Sequence, residues 1–325
     1  MGSLMQSQVD FFHREGYLIV DDVLDPVDLR PLRREFESVI DHKAGELFEQ
    51  AKLANLHAEA DFDHRLALIY EDSHECGLEI IAELEGRAGG GYKGLEMFRT
   101  IVHPKLLAAI ESLVGPEIVG SSVYRIRPKL PGINRGVVPW HQDSGYFSEL
   151  CDSHLILTAW IPLVDATAHN GCMRVMPRAH RRGIFTHHTG GNAGFLVIQD
   201  EDLPDPPQRA VTAEVPLGGV VFMTNLTPHC STANHSDGVR WSIDLRYQSA
   251  DAPSNVGLWP IEDLLEDDPR LAEYQIACYP PEADFVVQSR LHPEQVADFE
   301  KFIRRREAFD RARNIAYPRR GWTPA

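Results

Sequence analysis

Two hydrophobic periods divide the chain. Over the first 114 residues apolar positions recur mostly at helical spacing. Val9 to Tyr17 is amphipathic, Leu18-Ile19-Val20 reads as a strand, and Pro26 to Ile40 returns to the helical period. Residues 44–86 read as mostly helical, and 104–114 predict an amphipathic helix ended by Gly115-Pro116. The pattern then shortens. Val119–Arg127, Leu155–Leu163, Met173–Met176, Phe195–Ile198, Val211–Val215, Val220–Thr224 and Val239–Gln248 are brief apolar or alternating runs. His169-Asn170-Gly171 and Leu217-Gly218-Gly219 punctuate them as turns. Short strands at this density predict a mainly β protein with flanking helices, its core a barrel or double-sheet jelly roll. From about 259 the helical period returns and ends in the charged segment Glu294–Arg313. No repeat or low-complexity linker interrupts the chain. A single domain over 8–325 is expected, with its β core at about 119–249 and a helical cover at about 26–114 and 259–313.

Composition narrows the function. The 325 residues are 43% hydrophobic and 25% charged, ordinary for a globular protein, and 24 Gly with 22 Pro suit a loop-rich β fold better than a bundle. A formal net charge of −16 repels phosphate backbones and anionic lipids, so neither nucleic acid nor membrane is an expected partner. A small anionic substrate stays possible wherever local arginines reverse the field. Five cysteines without paired spacing predict reduced thiols in an intracellular protein. With no leader-like opening and no long apolar run, a cytoplasmic location is expected.

Several motifs weigh little. Gly89, Gly91 and Gly94 form a literal G-x-G-x-x-G, but a helical reading precedes them where a nucleotide fold needs a strand, so a loop is expected. The sequons at Asn225 and Asn234 read as accidents of composition. His187-His188 and His57 with His64 read as solvated surface histidines.

His141-Gln142-Asp143 is different. In extended chain, residues i and i+2 share a face, so His141 and Asp143 project an imidazole and a carboxylate into one space. That is two thirds of a facial triad on a divalent transition metal. His229 follows the apolar run Val220–Thr224 and is the best third candidate, 88 residues after His141. Two histidines and one carboxylate leave three adjacent positions open, which suits Fe(II) that must chelate a cosubstrate and bind O2. Arg240 stands 11 residues after His229 on an alternating run. Trp241, Ile243, Leu245 and Tyr247 share one face, and Arg240, Ser242, Asp244 and Arg246 the other. If the polar face lines the barrel, Arg240 grips a carboxylate bidentately, while Ser242, Asp244 and Arg246 favour a polar or zwitterionic substrate. If it does not, the row is an exposed face.

Taken together these segments resemble the phytanoyl-CoA dioxygenase family. The likeness rests on Phe11 to Val20, on His141-Gln142-Asp143, and on Leu157 to Leu163. It continues through Asn170 to Pro177 with His180, and through His229, Ser231, Asn234, Ser236 and Arg240, and so spans about residues 8–249. The resemblance implies a double-stranded β-helix (cupin-like) with Fe(II) on His141, Asp143 and His229. It implies 2-oxoglutarate as cosubstrate, held by Arg240 with Ser231, and Trp160 lining that site. Tyr124 or Arg125 are within reach of its other end, and a basic residue ahead of the core, Lys93 or Arg87, is a further candidate. The implied reaction hydroxylates an unactivated C–H bond of a small molecule while O2 and 2-oxoglutarate give succinate and CO2. Retention of Asp143 argues against halogenation. No acyl-CoA signature is seen, and a substrate of specialised metabolism is expected. Desaturation, cyclisation or epimerisation at the same iron, and a non-catalytic binding barrel, are the alternatives.

Overall fold

The structure is a computed structural model that describes residues 2–85, 92–121, 124–133, 136–147, 149–191, 194–252, 284–312 and 320–324. Its elements in order are α1 (Gln6–Glu15), β1 (Tyr17–Val20), α2 (Pro26–Glu49), α3 (Arg65–Asp72), α4 (His74–Glu85), α5 (Leu95–Ile101) and α6 (Pro104–Val114). The β-rich part comprises β2 (Ile118–Gly120), β3 (Arg125–Lys129), β4 (Ile156–Pro162), β5 (Met173–Val175), β6 (His188–Thr189), β7 (Val211–Ala213), β8 (Val220–Thr224), β9 (His229–Ser231) and β10 (Arg240–Ser249). β11 (Phe285–Gln288), α7 (Phe299–Ala312) and β12 (Thr323–Pro324) complete the described chain.

Local chemistry accounts for the helix boundaries. Gly16, at φ +84°, closes α1 by returning its N–H to the Phe12 carbonyl at 2.8 Å, a conformation that costs a side-chain-bearing residue energy. Asp25 and Asp28 form a reciprocal capping box at the start of α2, with Pro26 in the first turn where its missing N–H is harmless. The helical expectation for 44–86 needs correction: residues 50–64 are irregular between α2 and α3. The G-x-G-x-x-G loop falls largely outside the described residues, as does 259–283, the first part of the helical cover expected over 259–313.

β1, β8, β4, β10, β2 and β11 form an antiparallel sheet in that order, with β3 also pairing to β10, and β7-β5-β9 form a smaller sheet. Strand parity sorts the larger sheet. Leu18, Phe222, Leu157, Ala159, Trp241, Ile243 and Leu245 face the helices, while Tyr17, Val221, Met223 and Trp160 face Met173, Val175 and Ala213 of the smaller sheet. The result is a double-stranded β-helix with helices against one outer face. The run Val119–Arg127 proves to be two strands, β2 and β3. Phe195–Ile198 forms no strand, and Val197 makes only an isolated bridge to His188. β9, β11 and the β6–β12 pair were not expected; they are two to four residues long, too short for period-2 alternation to register.

Candidate metal centre

His141 and His229 meet because the backbone makes them direct cross-strand partners. Each donates its N–H to the other's carbonyl, at 3.0 and 2.9 Å, and their rings lie 4.2 Å apart. Gln142 is extended, so Asp143 shares the face of His141, and the chain then enters a 3-10 turn, Asp143–Tyr146. One ligand atom from each of His141, Asp143 and His229 can be chosen so that all lie within 4.8 Å of one another, and all three residues are buried.

The donor set fits a divalent metal. His141 Nδ1 stands 2.9 Å from the Pro139 carbonyl and His229 Nδ1 2.9 Å from the Thr227 carbonyl. Those carbonyls only accept, so each Nδ1 carries its proton and each Nε2 offers a lone pair. Burial, with His229 alongside, holds His141 well below the usual histidine range and hence neutral. Burial pushes the Asp143 carboxyl up, but the charge and hydrogen bonds of Arg246 overcome it and keep it ionised far below the usual carboxylate range. Arg246 grips it bidentately, Nη2 to Oδ1 at 2.9 Å and Nε to Oδ2 at 3.2 Å, and the Thr158 hydroxyl donates to Oδ2 at 2.5 Å.

Beside this cluster lies an anion-shaped cradle. Arg240 is buried with its guanidinium 5.2 Å above the Trp160 ring, and Nη1 donates to the Ser242 hydroxyl. Its Nε has no hydrogen-bond partner, and among the described residues no carboxylate forms an ion pair with it. A buried cation left in that condition fits an incoming carboxylate. Ser231 faces the same pocket as Arg240, Trp160 and the three ligand residues. Its Oγ accepts from Lys129 Nζ at 2.7 Å and from the Val138 N–H at 3.1 Å, which fills both lone pairs, and its own proton is directed to the Gly136 carbonyl at 3.4 Å, a long contact.

Most residues singled out from sequence converge here, including the polar face of β10: Arg240, Asp244 and Arg246 line the pocket. Asp244 accepts from Arg127 Nε at 2.7 Å. Tyr124 goes elsewhere. Its ring sits in the core beneath the helices, beside Phe302, and its hydroxyl donates to the Tyr92 carbonyl at 2.9 Å. His187 departs from the surface reading: it is buried, its Nε2 accepts the Gln142 N–H at 2.9 Å, and burial lowers its pKa to about 4. Sequence reasoning also missed Lys129, buried on β3 opposite Arg240 in the sheet register. Its signal was parity: Arg125, Arg127 and Lys129 alternate as the polar face of β10 does. Gly171, at φ +89°, lets the backbone approach this lysine, since a Cβ there would stand 2.8 Å from Lys129 Cδ. Both sequon asparagines are buried with their amides spent, Asn225 on Ser144 and Cys151 and Asn234 on the Lys129 and Gly238 carbonyls.

Comparison with known proteins bears on the chemistry. The family model described as phytanoyl-CoA dioxygenase matches residues 12–242. The peroxisomal phytanoyl-CoA dioxygenase of Rattus norvegicus is 25% identical over 254 residues, 76% of this chain and 69% of its own. The Arabidopsis thaliana phytanoyl-CoA dioxygenase is 24% identical over 286 residues, 80% of this chain and 99% of its own. Among solved structures, the non-haem α-ketoglutarate-dependent carbocyclase SnoK from nogalamycin biosynthesis is 22% identical, with a TM-score of 0.49, covering 76% of this chain and 85% of that one.

Proposed function

The chain belongs to the phytanoyl-CoA dioxygenase family of non-haem Fe(II)/2-oxoglutarate-dependent dioxygenases, and from that premise we propose that it hydroxylates an unactivated C–H bond of a small polar molecule. The observation that carries this reading is one pocket lined by two imidazoles, one ionised carboxylate and a buried arginine that, among the described residues, forms no ion pair with a carboxylate.

In this reading His141 and His229 bind Fe(II) through Nε2 and Asp143 through one carboxylate oxygen. Arg246 and Thr158 orient Asp143 and keep it ionised. Arg240 and the Ser231 hydroxyl hold the far carboxylate of 2-oxoglutarate, Trp160 packs beneath the guanidinium, and Met173 and Met223 keep water from the cosubstrate's methylenes. Iron(II), bound with 2-oxoglutarate, supplies oxidative decarboxylation to succinate and CO2 coupled to O2 activation and C–H hydroxylation. The protein contributes position and an enclosed, charged setting. The Arg127–Asp244 pair, on the polar face of the same pocket, favours a polar or zwitterionic substrate over a bare hydrocarbon.

Anaerobic addition of Fe(II) and then 2-oxoglutarate to metal-free protein should produce a visible charge-transfer band that His141→Ala abolishes. Arg240→Ala should raise the 2-oxoglutarate concentration needed for the band roughly 10- to 100-fold, the worth of a charge-assisted hydrogen bond. A flat spectrum from folded wild-type protein overturns the reading. With a substrate in hand, 18O from O2 in the product separates hydroxylation from desaturation, cyclisation and epimerisation.

A further inference from the structure

The turn that follows Asp143 is held on two sides. Arg246 and Thr158 grip the carboxylate itself. The backbone just after it is gripped by the last described residues of the chain, beyond the stretch matched by the family model. Arg320 donates from Nε to the carbonyls of Ser144, at 3.0 Å, and Phe147, at 3.1 Å, and its Nη2 pairs with Asp152. The indole of Trp322 donates to the Gly145 carbonyl at 2.8 Å, and Thr323–Pro324 pair in parallel with His188–Thr189.

The arrangement interlocks with the metal ligands. The Trp322 ring lies 5.2 Å from that of His187, whose Nε2 accepts the N–H of Gln142, the residue between His141 and Asp143. Gly145 approaches the same imidazole so closely that a Cβ would stand 2.7 Å from His187 Nε2. The turn itself supplies a donor to the Ser144 carbonyl, the Phe147 N–H at 3.1 Å, and the C-terminal side chains add donors to that carbonyl and to those of Gly145 and Phe147.

We infer that Arg320 and Trp322 are positioning residues for the metal centre, locking the 143–147 turn so that Asp143 meets the two imidazoles without further ordering. The inference rests on the reading of Asp143 as an iron ligand. A ligand already ordered before the metal arrives binds it more tightly, because binding no longer carries the entropy cost of fixing the turn. Outer groups that orient ligands typically govern metal affinity by 10- to 100-fold.

The test compares wild type with Arg320→Ala, Trp322→Phe and the double variant. Trp322→Phe keeps a ring against His187 and removes only the donor to Gly145. In metal-free protein, hydrogen exchange at the amides of residues 144–147 should quicken in the variants while β10 stays protected. Anaerobic Fe(II) titration should then give a Kd about tenfold weaker in the double variant, with Arg320→Lys intermediate. Unchanged exchange in the turn and an iron Kd within twofold of wild type would make the tail a mere fastening and overturn the inference, even if the variants melted earlier. Wild-type protein that binds no iron at all overturns instead the reading on which the inference rests. Should Arg320→Ala fail to fold, Trp322→Phe alone decides the matter by the same two measurements.

Discussion

Lys129 Nζ is enclosed by acceptors: the Ser231 hydroxyl at 2.7 Å, the Gly171 carbonyl at 3.3 Å and the Thr232 carbonyl. Burial, with Arg240 and Arg127 nearby, lowers its pKa to about 6. The unfolded chain keeps the ordinary lysine value, so between these limits it binds a proton that the folded chain has shed. Stability should therefore rise as pH climbs from about 6 toward the ordinary lysine value. Urea unfolding at pH 6, 7.5 and 9 should show that slope in wild type and a flatter one in Lys129→Met. Equal slopes would mean that the lysine keeps its proton throughout. The thiols beside it behave oppositely: burial raises Cys172 to about 11 and Cys230 to about 12, so both are poor nucleophiles at neutral pH.

At the scale of elements, β10 is the strand on which fold and site depend together. Trp241, Ile243, Leu245 and Tyr247 at its odd positions build the core under the helices, and Arg240, Asp244 and Arg246 at its even positions line the pocket. Trp241 ties the two sides of the molecule: its ring stacks 4.9 Å from that of Phe62, and its Nε1 donates to the Phe62 carbonyl at 3.2 Å. Trp241→Ala should cost about 3–5 kcal/mol in denaturant unfolding, the usual toll for emptying a buried aromatic site. Because the neighbouring Arg240 and Ser242 point the other way, folded variant protein should keep its 2-oxoglutarate affinity. A large loss of affinity without a loss of stability would contradict that division of faces. β8 illustrates what pattern reading achieves, since Val220–Thr224 emerged with the boundaries expected. Phe195–Ile198 illustrates its failure. An apolar run becomes a strand only where a neighbour supplies hydrogen bonds along its length, and Val197 meets one partner residue.

Over the whole molecule, stability and ligand binding should be linked. In the proposed reading Fe(II) with 2-oxoglutarate would join the His141–Asp143 segment, β4, β9 and β10, segments that are distant in sequence, and would bind only the folded chain. At a hundredfold excess over Kd, one such ligand adds about 2.7 kcal/mol. An anaerobic thermal melt should shift upward with both present, and His141→Ala should lose the shift. An equal shift in that variant would place the binding elsewhere. Among the described residues no helix is long and apolar enough to cross a membrane.

Much of this was legible in the residues alone. Periodicity separated the helical first third from the β core, and the i, i+2 spacing of His141 and Asp143 placed two donors on one face, because extended backbone forces that geometry locally. The resemblance carried by the motifs added Ser231 and Trp160 to the cradle. Parity also divided β10 into two faces, but not which of them looked inward. Only the folded chain decided that, since both faces proved buried, and only a second layer of strands makes a row of polar side chains an interior wall. Tertiary structure alone likewise set the backbone pairing of His141 with His229, the burial of Lys129 and His187, the departure of Tyr124 to the helical side, and the docking of Arg320 and Trp322 behind Asp143. Local spacing is fixed by bond geometry within a few residues. Contacts across a hundred residues depend on which strands find one another, and no short stretch of sequence encodes that by itself.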